Sequence, residues 1–564
     1  MRTSSFSKLY ILCICLFSLA WAKPPEPVKG QHGMVVSSSK LSSLVGIEIL
    51  EKGGNAIDAA VAVGFALAVT YPSAGNIGGG GFMVIHLNNG TNTTIDVRET
   101  APLNAYRNMY LDKNNKFDPK LSSEGITSSG VPGTVAGLIY VLKKYGTLKL
   151  KDVIQPAIDL AENGFIIDYN LAESFAGVKD DLMRYPSSRK IFFKDNDSLY
   201  QEGDTFKQPE LANTLKLIRD NGIYGFYKGK TADLLINQVK KDGGYITQKD
   251  LDNYYPKERT PVTGTYRGYD IISMPPPSAG GIALIEMLNI LENYTFHKDE
   301  WGSSSYLHHL VESMKYAYAD RTRYLGDNDF IKVPIEQLTS KKYAHDIFNK
   351  LTNIAVPSSE IHPGDFKSFH ESDQTTHYSV CDNFGNAVST TTTINSSFGN
   401  KIVVAGAGFL LNNEMDDFSG QPGAPNLYGL LGSDANSIQP GKRMLSSMTP
   451  VIVLNKDHKP WIIAGSPVGS TIITTVLQVL LNCIDFHMNI QEAVNAPRIH
   501  HQWYPDEIDY EKFGLTEDVQ TNLVKMGYKI GDKRTLGRAE CIMFSDNYFY
   551  GASDPRGYGS AEGY

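Results

Sequence analysis

Cysteine is scarce in this chain, five among 564 residues, and two of the five, Cys13 and Cys15, fall close to the N-terminus. The other three, Cys381, Cys483 and Cys541, are odd in number and widely spread, which excludes a disulfide framework. CxxC pairs and zinc-type spacings are lacking too. The His308-His309 and His500-His501 pairs are adjacent residues whose side chains diverge on a regular element, so no metal is expected. Basic charge is not in excess: 53 Lys and Arg stand against 61 Asp and Glu, a net charge of -8, which excludes the electrostatic footprint of a nucleic-acid binder. Beyond the N-terminus no apolar run reaches the roughly 20 residues of a spanning helix, and no internal repeat stands out. What remains, with 41% hydrophobic and 20% charged residues, is ordinary globular material. Its length allows several domains or one large continuous fold.

The N-terminus differs from the rest. Arg2 and Lys8 precede an apolar stretch from Leu9 to Phe17, and Ala20-Trp21-Ala22 offers small residues around a cleavage site. This is the layout of a signal peptide over residues 1–22, with Lys23 beginning the mature chain. The alternative, an uncleaved anchor, is disfavoured by the shortness of the run. An exported protein, periplasmic or secreted, is expected.

Leu41 to Leu50 reads as an amphipathic helix stopped by Gly53-Gly54, and Asn55 caps an Ala/Val-rich, buried helix to about Thr70. The glycines from Gly75 to Gly81 lead into a strand at Phe82 to Ile85. No Lys-Ser/Thr or helix follows them, so close backbone packing fits better than a phosphate cradle. Residues 151–341 read as mostly helical scaffold, most clearly from Tyr306 to Tyr324. Ala355 to Gln374 loses periodicity and gathers Pro, Ser and charge, a linker that ends at Thr375. The texture then turns β-rich: Thr376 to Cys381, a turn at 382–386, and a return strand from Ala387 to Asn395. If Cys381 faces Ala387, Thr375 lies opposite Thr393 with Asn395 on the same face, whereas a slip of one residue reverses the faces. Further on come strands at Val451 to Leu454 and Trp461 to Ala464. The second breaks at Gly465 to Ser470 into an apolar helix, and Asn489 with Glu492 forms a capping box.

A threonine hydroxyl is a poor nucleophile without a base. Cutting the Gln374-Thr375 bond would supply one, an α-amine with a reference pKa of about 7.7–8.0. Thr393 would orient the hydroxyl or the amine. Against this stands the plain reading that threonines favour strands and that Thr390 to Thr393 is sheet surface.

Family resemblance decides between them. The blocks Glu371 to Val380 (ESDQTTHYSV), Leu411 to Phe418 (LNNEMDDF), Leu445 to Met448 (LSSM), Ala74 to Phe82 (AGNIGGGGF) and Asp96 to Glu99 (DVRE) together resemble the γ-glutamyltransferases, in order, from about Gly33 to the C-terminus. The resemblance implies an α+β fold, the four-layer αββα sandwich of the N-terminal-nucleophile hydrolases. It also implies a precursor that cuts itself into residues 23–374 and 375–564, and catalysis without a cofactor. By motif, Thr375 is similar to the nucleophile, attacking first the Gln374 carbonyl and later the γ-amide of glutathione or another γ-glutamyl compound. Water or an acceptor amino acid or peptide would resolve the γ-glutamyl ester.

Arg98, aided by Ser446 and Ser447, resembles the anchor of the α-carboxylate, and Asn395, Glu414 and Asp417 would hold the ammonium. Without the resemblance, Arg98 reads as a surface ion pair, and Glu414 to Asp417 as a solvated acidic turn or calcium loop. Backbone N–H groups at Val468-Gly469 would stabilise the oxyanion. The family's usual residues there are Gly-Gly, and valine disfavours positive φ. Glu414 is a second variable point, since glutamine also occurs there. Gln421 to Asn436 looks like the lid loop of bacterial members, with Tyr428 at its gating position; otherwise it is simply a surface loop. Sequons stand at Asn89, Asn92, Asn196, Asn293 and Asn395, and the last cannot be both glycosylated and in the pocket. Related readings are an acylase of glutaryl or cephalosporin type, for which Asp417 would have no use, and a silent homologue that never matures.

Overall fold

The computed structural model describes residues 25–361, 375–421, 423, 424, 426 and 429–564. The expected signal peptide, Gln374 of the expected cleavage bond, and Tyr428 lie outside the described residues.

Two seven-stranded sheets, antiparallel throughout, stack face to face. One runs in the order Val28–Gly30, Tyr548–Ser553, Glu540–Ser545, Pro460–Ala464, Val451–Leu454, Tyr269–Ser273, Val262–Tyr266. The other runs Ser560–Gly563, Gly33–Ser37, Thr376–Asp382, Ala387–Thr393, Gly80–His86, Asn92–Asp96, Lys257–Arg259. Each sheet draws strands from both sides of Thr375, so the pieces before and after it build one fold.

Helices close both outer faces and complete an αββα sandwich. Ala56–Thr70, buried along its whole length, covers the second sheet, and its start is fixed by a reciprocal capping box between Asn55 and Asp58. Gly280–Leu291, Ser304–Tyr324 and Thr471–Ile484 cover the first. Between the sheets lies an apolar layer that includes Val36, Val84, Ile272, Cys381, Ile452 and Ile542. The three described cysteines are free and buried.

The central hairpin has the register that the loop count predicts. Cys381 pairs with Ala387 and Thr376 with Thr392, which brings Thr375, one residue before the strand, opposite Thr393. Pleating then sorts the side chains. Tyr378 and Val380 face the outer helices, while Ser379 and Ser389 point between the sheets and donate to Glu540 O at 2.9 Å and Ala464 O at 3.0 Å.

The expectation of a helical scaffold over residues 151–341 needs correcting. The stretch also contains the strands Lys257–Arg259, Val262–Tyr266 and Tyr269–Ser273, which form one end of each sheet. The last two are joined by a tight turn with Arg267 at φ 51° and Gly268 at φ 86°, a hairpin signal masked by helical neighbours. The glycine run before Gly80–His86 is indeed close packing, since a Cβ on Gly79 would lie 2.1 Å from Thr393 O.

Candidate active site

Thr375 and Thr393 stand at one end of the central hairpin, both buried. After Thr393 the chain leaves the strand through Asn395 at φ 71°, and the Asn395 N–H donates to Thr393 Oγ1 at 2.8 Å. Asn395 therefore reaches the site from a turn rather than as the next residue on the strand face. Its Nδ2 donates to Asn413 O at 2.9 Å, which ties the hairpin end to the short 3-10 turn Glu414–Asp417. Asn412 seats that turn, its Oδ1 accepting the N–H groups of Gly130 at 2.8 Å and of Glu414 at 3.0 Å.

Arg98 follows the Asn92–Asp96 strand and is fully buried. Its Nε donates to Met444 O at 3.2 Å, Nη1 pairs with Glu414 and Nη2 with Asp417, while Glu99 Oε2 lies 3.7 Å from Nη1. Burial works against its charge, but the carboxylates of Glu414, Asp417 and Glu99 outweigh that and hold the guanidinium above its usual range. The carboxyls respond in the opposite sense. Burial pushes Glu99 up to about 7 and raises Glu414 and Asp417 as well, against the pull of Arg98. The expected division, with Arg98 for a carboxylate and the acids for an ammonium, is thus one interlocked cluster rather than two stations. With so little solvent, each group needs the others for charge balance.

Ser446 and Ser447 complete this side. Ser446 Oγ accepts the Met448 N–H at 3.1 Å, and Ser447 Oγ accepts from Arg321 Nη2 at 3.3 Å. Thr375, Thr393, Asn395, Arg98, Glu414, Asp417, Ser446, Ser447 and Gly469 all line one cavity, with Leu430, Met448, Ile472 and Arg321.

At the turn into Thr471–Ile484, Val468 has φ 91° and Gly469 φ 47°. The valine holds a positive φ despite its branched Cβ, buried by packing that fixes it there. Neither its N–H nor that of Gly469 is claimed by an acceptor among the described residues. Gly469 lines the cavity and Val468 does not, so these two predicted residues are placed differently.

His377, two residues from Thr375 on the same strand face, is a rival base by position. It is buried between the sheets, its Nδ1 2.9 Å from Thr391 Oγ1 and its Nε2 3.1 Å from Ser379 Oγ, and burial lowers its pKa to about 3. Sequence reading missed Arg321, which sits on Ser304–Tyr324 inside the presumed scaffold. A cation in the ADRTRY stretch of a helix end reads as a surface charge, and only the fold shows it buried.

A four-layer sandwich with a threonine leading a central strand of one inner sheet is the architecture of the N-terminal-nucleophile hydrolases. Within that class, the sequence pattern of the family described as Gamma-glutamyltranspeptidase matches residues 42–564, and the chain belongs to that family. It is 51% identical to the "Glutathione hydrolase proenzyme" of Escherichia coli (strain K12) over 534 residues, 94% of this chain and 91% of that one. Among solved structures, Helicobacter pylori gamma-glutamyltranspeptidase is similar at 51% identity and TM-score 0.58, covering 61% of this chain and 97% of its own. A cephalosporin acylase from Bacillus halodurans is similar in fold at 28% identity and TM-score 0.85, covering 97% and 98%.

Proposed function

We propose that the chain is an exported, self-processing glutathione hydrolase and γ-glutamyltransferase, and that Thr375 is its nucleophile. In the precursor the Thr375 hydroxyl attacks the Gln374 carbonyl. The acyl group moves from nitrogen to oxygen, and water then hydrolyses the ester to leave residues 23–374 and 375–564. The freed α-amine is the base for turnover. In turnover the Thr375 hydroxyl adds to the γ-carbonyl carbon of the donor, and the oxyanion takes the N–H groups of Val468 and Gly469. The amide C–N bond breaks, the leaving amine takes a proton, and a γ-glutamyl ester remains until water or an acceptor amine displaces Thr375.

The observation that carries this reading is the shared cavity. It brings Thr375 together with a cluster of both charges suited to a zwitterionic amino-acid head group. A glutaryl acylase of the same fold is the second reading, and Asp417 argues against it, because a donor without an ammonium gives this carboxylate nothing to bind. Thr375→Ala should leave a single uncut chain on a denaturing gel, whereas the unaltered protein should give a fragment whose N-terminal sequence begins at Thr375. Normal cutting of the variant would refute the role of Thr375. Faster release of anilide from a glutaryl than from a γ-glutamyl donor would decide for the acylase.

A further inference from the structure

Arg321 is the charged cavity residue that neither the motifs nor the mechanism uses. It is only 4% exposed, its Nη2 donates to Ser447 Oγ at 3.3 Å, and its Nε finds no hydrogen-bond partner among the described residues. A buried guanidinium with an unclaimed donor is costly unless something it faces repays the burial. Burial pulls its pKa only to about 10, so it stays charged at neutral pH. One turn earlier on the same helix, Tyr318 donates its hydroxyl to Ser470 O beside the Val468-Gly469 turn. The helix Ser304–Tyr324 thus touches two walls of the site at once.

The hydroxyl chemistry gives this a direction. A serine oxygen has two acceptor sites and one O–H to give. Ser447 takes an N–H from Arg321 and Ser446 takes one from Met448, and no acceptor among the described residues claims either O–H. Both serines are therefore set as donors. Arg98, by contrast, already spends its donors on Glu414, Asp417 and two carbonyl oxygens.

We propose that Arg321 is a positioning residue for the donor's α-carboxylate: it pins Ser447 Oγ so that the hydroxyl donates into the cavity, and it supplies a second positive charge beside the carboxylate. This rests on the γ-glutamyl reading above. The charges agree with it, since Arg98 and Arg321 share the cavity with Glu414 and Asp417 while Glu99, 3.7 Å from Arg98 Nη1, is pushed up by burial towards keeping its proton.

The test compares two 4-nitroanilides, the γ-glutamyl compound and the 4-aminobutanoyl compound, which keeps the ammonium but lacks the α-carboxylate, the latter measured at high enzyme concentration. Arg321→Gln should raise KM for the γ-glutamyl donor about tenfold or more, leave kcat within about threefold, and change kcat/KM for the 4-aminobutanoyl donor by less than about twofold. Arg321→Lys should recover part of the loss, and Arg321→Gln combined with Ser447→Ala should raise KM beyond Ser447→Ala alone but by less than the product of the two single effects, because the pinning of Ser447 is shared and the charge is not. An unchanged KM, or equal losses on both donors, overturns the inference. If Arg321→Gln fails to mature on a denaturing gel, Arg321→Lys must itself show a rise of about threefold or more confined to the γ-glutamyl donor, and its absence overturns the inference too. A wild-type enzyme inactive on the γ-glutamyl anilide would defeat the functional reading itself, whereas an active enzyme indifferent to Arg321 defeats only this inference.

Discussion

If Thr375 is the nucleophile as proposed, two groups are candidates for its proton, its own α-amine and His377, and the pH dependence of kcat/KM separates them. An amine near its reference pKa of about 7.8 is about 14% unprotonated at pH 7 and about 94% at pH 9, a rise of about sevenfold in the reactive form. His377 offers no such limb. With a pKa near 3 it is neutral from pH 5 upwards, and its two nitrogens are already engaged by Thr391 and Ser379. The expected profile of γ-glutamyl anilide hydrolysis between pH 5 and 10 therefore has an ascending limb that belongs to the amine. His377→Gln keeps an amide able to bond Thr391 or Ser379, so after normalisation to the processed fraction it should retain that limb unmoved and lose less than about tenfold in kcat/KM. A fully processed His377→Gln enzyme whose limb has vanished or moved by more than one pH unit would show that the imidazole is the base and that the reasoning from burial is wrong.

Gly465→Ala should destabilise the protein by about 1–3 kcal/mol and slow maturation, because its Cβ would stand 2.2 Å from His377 Cε1; thermal denaturation would show it, and the double variant with His377→Ala should regain part of the loss. At positive φ glycine is favoured over alanine by about 1 kcal/mol, the reverse of an ordinary position, so Val468→Gly should denature at higher urea than Val468→Ala, and the opposite order would deny the strain at φ 91°. Glu99 adds a pH dependence. Its pKa is about 7 when folded against 4.5 as a free group, so its share of stability is whole below pH 4.5 and is lost as pH rises through 7, about 3 kcal/mol in all. The stability difference between wild type and Glu99→Gln should accordingly shrink from pH 5 to pH 8 in urea titrations, and a constant difference would count against a buried, protonated Glu99.

Local chemistry made some features legible and long-range geometry hid others. The Asn55 cap, the Asn489-Glu492 capping box and the 382–386 turn are each encoded within a few residues, and the structure has all three. The turn length, once Cys381 is set against Ala387, puts Thr375 opposite Thr393, and the structure has that register. Asn395 was harder, because a positive φ breaks the strand period that reading along the strand assumes. The Val262–Tyr266 and Tyr269–Ser273 hairpin hid among helices because its neighbours set the texture of the window.

The pairing of Arg98 with Glu414 and Asp417 shows where reading by motif stops. Each block named its residues, but the blocks are more than 300 positions apart, and nothing in either says that one guanidinium is shared by both acids. Under the proposed function, that sharing changes what substrate binding must do. An incoming α-ammonium competes with Arg98 for the same carboxylates, and an incoming α-carboxylate competes with those carboxylates for Arg98. The exchange is close to neutral only if both ends of the head group arrive together, because either end alone leaves a buried charge unpaired. Selectivity for a zwitterionic head group therefore follows from the cluster as a unit, and a donor with only one of the two charges should be penalised beyond the loss of its own contacts.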